Sequence, residues 1–392
     1  MAAFVFRDAL LRDEDAIVEL AKHLDTVNLP PDRAFIRALL ERSVASFAGG
    51  GDPQAFDPER RFLFVLEEPA TGRVVGTSMI HAQHGTHREP HVFFRVVEEE
   101  RFATLELSEE RREIHMIHEL LQLGLTYQGP TEIGGLVLHP ELRKHPLKLG
   151  RLLSLGRFLY IAAHRRRFRD RVLAELLPPL ERGPQGRTRS PLWDALGGRF
   201  TNLTYSEADR LSADDKEFIW KLFPMTAVHV SLLPREVQDI IGQVGSATVG
   251  AMRLLHSVGF TYSGKVDPFD GGPHWEAATD EISLVREAQW CRVRAGGRSD
   301  EGVPGIVARV RPANSRSHTD SPWFSAVWTH VHDELPADHA IDEDAAWAVG
   351  DLPPDNDHAH TVVVAPEDLE ALAPAPKERL LVALRPQQRL AN

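Results

Sequence analysis

A single cysteine, Cys291, stands in 392 residues. It excludes an internal disulfide and a zinc site built on cysteines alone. No apolar run approaches the roughly 18–20 residues that a helix needs to span a bilayer, so no membrane association is expected. A secretory leader is not expected either: Asp13, Glu14 and Asp15 fall where its apolar stretch would be. Those two readings make the cytoplasm the expected compartment. Lysine is scarce, with 7 against 38 arginines, and a GC-rich coding bias accounts for this more simply than an arginine-specific function. Basic charge is also short: 45 Lys and Arg face 57 Asp and Glu, a formal charge of −12. A general nucleic-acid binder, whose affinity rests on phosphate neutralisation, is therefore not expected. Apolar residues are not scarce. At 42% hydrophobic and 26% charged the chain can bury a sizeable core, and its length points to two domains.

The chain opens in the order strand, helix, helix, strand, strand. Phe4–Phe6 is a short apolar strand, and Asp13 is placed to cap a helix bearing Ile17, Leu20 and Leu24 at helical spacing. A second helix runs from Phe35 to Phe47 and ends at the glycines from Gly49. Arg61–Leu66 and Arg73–Ile80 form a hairpin. His91–Val96 reads as a strand, whereas the charged stretch 97–118 gives no clear pattern. Ile133–Leu138 is nearly all apolar, as a strand buried on both faces requires. A helix follows from Leu149 to Ala163, then a strand at Arg171–Leu176. Residues 191–260 read as mostly helical, including Asp214–Leu222 and Ala247–Val258, with a strand at Phe260–Val266. Beyond about residue 286 the apolar runs become short and strand-like: Gly305–Val310, Trp323–Trp328, Thr361–Val364 and Leu380–Leu384. The expected division is 1–286 and a small, mostly β domain at 287–392, the latter with a net charge of −7.

Between the strand Ile133–Leu138 and the next helix lies a basic turn, with Arg143, Lys144, Lys148, Gly150 and Arg151. A helix N-terminus exposes unpaired N–H groups and partial positive charge, which suits a phosphate. Gly150 would let a ligand approach the backbone, and the cations would add charge-assisted contacts. A charged, solvated turn with a capping glycine is the competing interpretation.

The turn resembles the pyrophosphate-binding turn of the Gcn5-related N-acyltransferases, with Arg143 opening it and Gly150 closing it; the middle glycine is missing and the loop is about two residues longer. Longer blocks resemble the arginine N-succinyltransferase family. These are Ser190-Pro191-Leu192-Trp193 through Gly197, Arg199-Phe200, Ala208-Asp209, Gln238-Asp239-Ile240-Ile241-Gly242-Gln243-Val244, and Gly259-Phe260 through Asp267, Phe269-Asp270-Gly271-Gly272-Pro273 and Glu276. Nearer the N-terminus, Phe62–Glu67, Thr71-Gly72 and Arg88-Glu89-Pro90 fit the same family. The likeness covers roughly residues 1–290 in order.

The resemblance implies an α/β (α+β) Gcn5-related N-acyltransferase fold with extra helices and a small C-terminal β domain. It implies an enzyme that moves succinyl from succinyl-CoA, its co-substrate, to the α-amino group of arginine in arginine catabolism. It also implies association, as copies or as related subunits. Another acyl-CoA or amine, or a homologue that binds CoA without turnover, are the alternatives. The resemblance places Leu136 at the acyl-CoA contact and Glu132 just ahead of it. Leu138, Arg143, Lys144, Lys148, Leu149, Gly150 and Arg151 complete the expected cofactor-binding set. Backbone N–H groups beside the central strand would polarise the thioester carbonyl.

One departure matters. The family's proton-donor histidine falls at Gly245, which has no side chain to donate. Three readings follow: another acid such as His256, proton transfer through water, or altered or absent activity. Glu132 and His256 are thus the catalytic candidates, Glu132 either as a base for the amine or as an anion facing a guanidinium. Asp267 and Asp270 read first as turn residues, His139 and His229 as structural, and His164 to Arg169 as cations ending a helix. No metal is expected: 19 histidines are scattered, and His87, His91, His115 and His118 lack a companion carboxylate motif. His358 and His360 could at most bind weakly.

Overall fold

The computed structural model describes residues 3–23, 29–49, 55–87, 89–107, 110–182, 188–212, 216–296, 302–311, 321–332 and 360–384. In chain order the strands are β1 (Val5–Asp8), β2 (Arg61–Glu68), β3 (Arg73–His81), β4 (His91–Leu107), β5 (Glu110–Thr126), β6 (Thr131–Leu138), β7 (Arg171–Glu175), β8 (Glu181–Arg182), β9 (Thr188–Arg189), β10 (Val228–His229), β11 (Thr261–Val266), β12 (Pro273–Ala278), β13 (Gln289–Ala295), β14 (Val303–Val310), β15 (Phe324–Val331), β16 (Thr361–Val364) and β17 (Arg379–Leu384). All but the β8–β9 pair join one sheet, in the order β10-β5-β4-β11-β12-β7-β6-β3-β2-β1-β15-β14-β17-β13-β16. The main helices are α1 (Glu14–Ala21), α2 (Arg33–Ala48) and α3 (Gly150–Ala163).

Alternation along β2 decides which helix covers which face. Leu63 and Val65 pack with Ile17 and Leu20 of α1 and Ile36 and Leu40 of α2. Phe62, Phe64 and Leu66 point the other way, into a core with Leu152, Leu153, Phe158 and Tyr160 of α3. The second helix starts where Asp32 accepts a hydrogen bond from the Phe35 N–H, and it ends at Gly49 with φ 72°. The opening order strand, helix, helix, strand, strand is the one expected.

The C-terminal strands continue the same sheet. β1 pairs with β2 on one side and with β15 on the other, Phe6 opposite Ala326. Ile306, Ala308, Phe324 and Ala326 share the α3 core, while Cys291, Val307, Val327 and Val382 build a second cluster to which β1 adds Val5.

Three regions differ from expectation. The uninterpreted stretch 97–118 lies in a hairpin whose strands, β4 and β5, are 17 residues each. Its outer part is exposed on both faces, with even Phe102, Met116 and Ile117 open to solvent, so no inward-facing pattern marks it. Between 191 and 260 the helices are short, such as Tyr205–Ser212, Glu217–Leu222 and Val249–His256. β12, β13 and a helix at Pro366–Leu372 were not expected. Among the described residues no helix is long and apolar enough to cross a membrane. Asp214, Arg88 and His358 lie outside the described residues.

Candidate active site

β6 and β7 run parallel but pair only at Thr131 with Val172 and Glu132 with Leu173. β6 continues to Leu138, held on its other side by β3. From Ile133 to Leu138 the backbone groups on the β7 side therefore have no ladder partner there, and the two strands part. Gly135, at φ 57°, sits where the β3–β6 register shifts. The left-handed φ favours glycine here, and a Cβ would also push aside the flexible end of Met79, whose Cε would lie at 2.5 Å.

Glu132 stands at the point of parting and is buried at 5% exposure. Its Oε2 lies 2.7 Å from His84 Nδ1 and 3.3 Å from His81 Nδ1. Burial would raise the Glu132 carboxyl, but the two imidazoles outweigh it and hold the group well below the usual carboxylate range. His84 is pushed up, since Glu132 overcomes its burial. His81 is pushed down because its burial wins. Of the two imidazoles, His84 is the closer partner of Glu132.

Beside this pair, Glu175 ends β7 opposite His274 of β12. Glu175 Oε1 lies 3.4 Å from His274 Nε2, 3.5 Å from His91 Nε2 and 3.8 Å from His84 Nε2. Pairing across β6, β7 and β12 puts Glu132, Glu175 and His274 on one face of the sheet. Burial drives His91 down to about 3 and also lowers His274, so both rings are neutral at neutral pH. On the same face Glu276 accepts from Lys265 and Arg171, each at 2.8 Å. The turn reading of Asp267 and Asp270 agrees with their contacts. Asp267 Oδ1 accepts from the Phe269 and Asp270 N–H groups, and Asp270 Oδ1 from the Gly272 N–H.

The basic turn leads away from the gap along the same piece of chain. Leu136 is partly buried and Leu138 buried against the α3 core. Arg143, Lys144 and Lys148 are exposed, Leu149 is buried, and Gly150 and Arg151 are half-buried at the start of α3. The first turn of α3 carries no acidic residue and no side-chain cap. A Cβ added at Gly150 would meet nothing within 4 Å. Lys148 adopts φ 50°, turning the chain into the helix.

A buried carboxylate at the mouth of two parting parallel strands, followed by a basic turn opening a helix, is the geometry expected of an N-acyltransferase. The family model for the arginine N-succinyltransferase beta subunit matches residues 4–284. The chain belongs to the arginine N-succinyltransferase family. Arginine N-succinyltransferase of Escherichia coli (strain SE11) is 29% identical over 347 residues, which is 84% of this chain and 96% of that protein. The Shigella flexneri protein of the same name gives the same figures. The structure of the arginine/ornithine succinyltransferase subunit AI from Pseudomonas aeruginosa superposes with a TM-score of 0.72 at 25% identity, covering 99% of this chain and all (100%) of that one.

At Gly245, where the resemblance would put a proton donor, the backbone itself leaves no room. A Cβ on Gly245 would lie 2.5 Å from the Pro178 carbonyl oxygen and 3.1 Å from that of Leu177, and the Gly245 N–H donates to Leu177. The segment occupying that space follows Glu175 directly. His256 is exposed in the last turn of its helix, its ring 6.2 Å from that of Trp275. Trp275 leaves β12 on the face opposite His274 and packs towards α3. The two catalytic candidates, Glu132 and His256, thus lie on different faces of the sheet.

Sequence reasoning missed His81, His84, Glu175 and His274, and it dismissed His91. Glu175 had a signal, a carboxylate set within the apolar stretch Val172–Leu176. The histidines had none, because they come from separate strands and a loop.

Proposed function

We propose that this chain transfers a succinyl group from succinyl-CoA to the α-amino group of arginine. The carrying observation is the parting of β6 from β7 beside buried Glu132. The thioester lies in the gap, and the unpaired N–H groups of β6 face its carbonyl oxygen, where negative charge grows as the amine attacks. The basic turn and the α3 N-terminus take the pyrophosphate of CoA, with Arg143, Lys144 and Lys148 as the cations and Leu136 and Leu138 along the adjoining arm.

The substrate amine arrives as an ammonium ion. Glu132, ionised and backed by His84, attracts it and takes its proton only in transit, passing it on through water, because a carboxyl held well below its usual range does not keep one. The freed nitrogen bonds to the thioester carbon, the oxyanion collapses, and the C–S bond breaks. The second amine proton leaves as the amide forms, and the CoA sulfur takes up one proton. Ammonium and thioester thus become amide, thiol and one released proton. No side chain at 245 donates that proton, and His256 stands away from Glu132, so water is the route to the thiolate, which is a good leaving group near neutral pH.

Residues 1–286 carry this chemistry in our reading, 287–392 act as an attached β unit, the protein works in the cytoplasm, and its copies or related subunits associate. The test is thiol release by the purified chain from succinyl-CoA with arginine or ornithine. Release that requires either amine supports the reading. No release with both amines sinks it, and a preference for acetyl-CoA reassigns the donor.

A further inference from the structure

Four imidazole nitrogens in the buried cluster, Nδ1 and Nε2 of His91 and of His274, have no hydrogen-bond partner. Both rings are inaccessible to solvent, at 1% and 0% exposure. Buried polar atoms are ordinarily paired. Glu175 Oε1 stands at 3.5 Å and 3.4 Å from the two Nε2 atoms, beyond the roughly 2.7–3.2 Å of a good N–H···O bond. These two spacings match the edge of a tetrahedron around a metal, and His84 Nε2 stands somewhat further from the same oxygen, at 3.8 Å. Ligand atoms about 2.0–2.1 Å from Zn²⁺ lie about 3.3–3.5 Å from each other. One nitrogen each of His84 and His91 and one oxygen of Glu175 all fall within 4.8 Å of one another.

We propose that His84, His91 and Glu175 bind one divalent transition ion of the zinc class, with Glu132 holding His84 from behind. Two imidazoles and a carboxylate favour zinc, iron, nickel or copper over magnesium or calcium. The second layer is already built: Glu132 Oε2 takes His84 Nδ1 at 2.7 Å, which turns His84 Nε2 towards Glu175. A carboxylate behind a ligating histidine is the usual way to set its tautomer and orientation. Glu175 also closes a second triad with Asp267 and His274. That one is less suited, because Asp267 Oδ1 already accepts two backbone N–H bonds. His274 remains beside the first triad as the next nitrogen within reach of the ion.

The test uses the full chain, stripped with a chelator and dialysed against Zn²⁺ or Co²⁺. We expect one equivalent of zinc retained per chain and a tetrahedral Co²⁺ visible spectrum. His84→Gln and His91→Asn should each weaken zinc binding tenfold or more, and Glu132→Gln should weaken it about 10- to 100-fold. The cobalt spectrum needs no variant, so the test holds even if His91→Asn does not fold. Folded wild-type chain that retains no ion, or cobalt with the spectrum of the free aqueous ion, overturns the proposal. So does binding lost on His274→Asn but kept by His84→Gln. The readouts are binding alone, so acyl transfer can fail or succeed independently.

Discussion

At the scale of single residues, Glu132 and Gly245 carry the sharpest consequences. Glu132→Gln keeps the shape but loses the charge that attracts and deprotonates the amine. We expect kcat/KM to fall about 10²- to 10⁴-fold with KM for succinyl-CoA little changed, measured by thiol release. Gly245→His tests whether the missing family residue can simply be put back. With carbonyl oxygens 2.5 Å and 3.1 Å from its Cβ, the substitution forces the backbone between Leu177 and Pro178 to move. The expected outcome is a lower thermal midpoint and no gain in turnover, and a folded variant with raised activity would contradict it. Residue identity alone left the outcome open, because a glycine in a sequence says nothing of what presses against it.

At the scale of elements, the run from β6 through the basic turn into α3 was the most legible part of the chain. The apolar run Ile133–Leu138 predicted a buried strand, and the structure extends it only to Thr131. The helix expected from Leu149 begins at Gly150. Periodicity is reliable there because both elements bury most of their residues. The β4–β5 hairpin was illegible for the converse reason: its outer half buries little, so alternation has nothing to record. The turn yields its own prediction. Replacing Arg143, Lys144 and Lys148 together by alanine should raise KM for succinyl-CoA while leaving kcat nearly unchanged. The increase should shrink as salt is added, since these cations are exposed and screened. A fall in kcat at saturating succinyl-CoA would place the turn in the chemistry itself.

At the scale of the whole molecule, one buried carboxylate ties β1 to the start of β15. Asp8 accepts a hydrogen bond from the Phe324 N–H at 2.8 Å, next to the β1–β15 pairing. Burial pushes its carboxyl from 3.8 up to about 7, against the pull of backbone hydrogen bonds and Arg7. The folded chain therefore holds a proton on Asp8 that the unfolded chain has already lost above about pH 4. Its stabilising contribution is complete below the unfolded value and declines as pH rises towards 7. At about 1.4 kcal/mol for each unit, the decline amounts to about 4 kcal/mol at most. Asp8→Asn should remove this slope, so the stability of wild type relative to the variant should fall between pH 4 and 7 in denaturant melts. Parallel curves would show that Asp8 does not carry it.

Local pattern by itself determined the opening order of elements, the hairpin of β2 and β3, the two-sided burial of the central strand and the basic turn before α3. The ordered residue blocks identified the family. Each of these depends on residues close in the chain, where spacing and geometry are nearly the same thing. Tertiary structure alone decided the rest. It brought His84 from a loop, His91 from β4 and His274 from β12 around one carboxylate oxygen of Glu175 on β7. It also set Gly245 against a carbonyl and joined β1 to β15 across more than three hundred residues. Such meetings follow from sheet order and register, which no short stretch of sequence specifies.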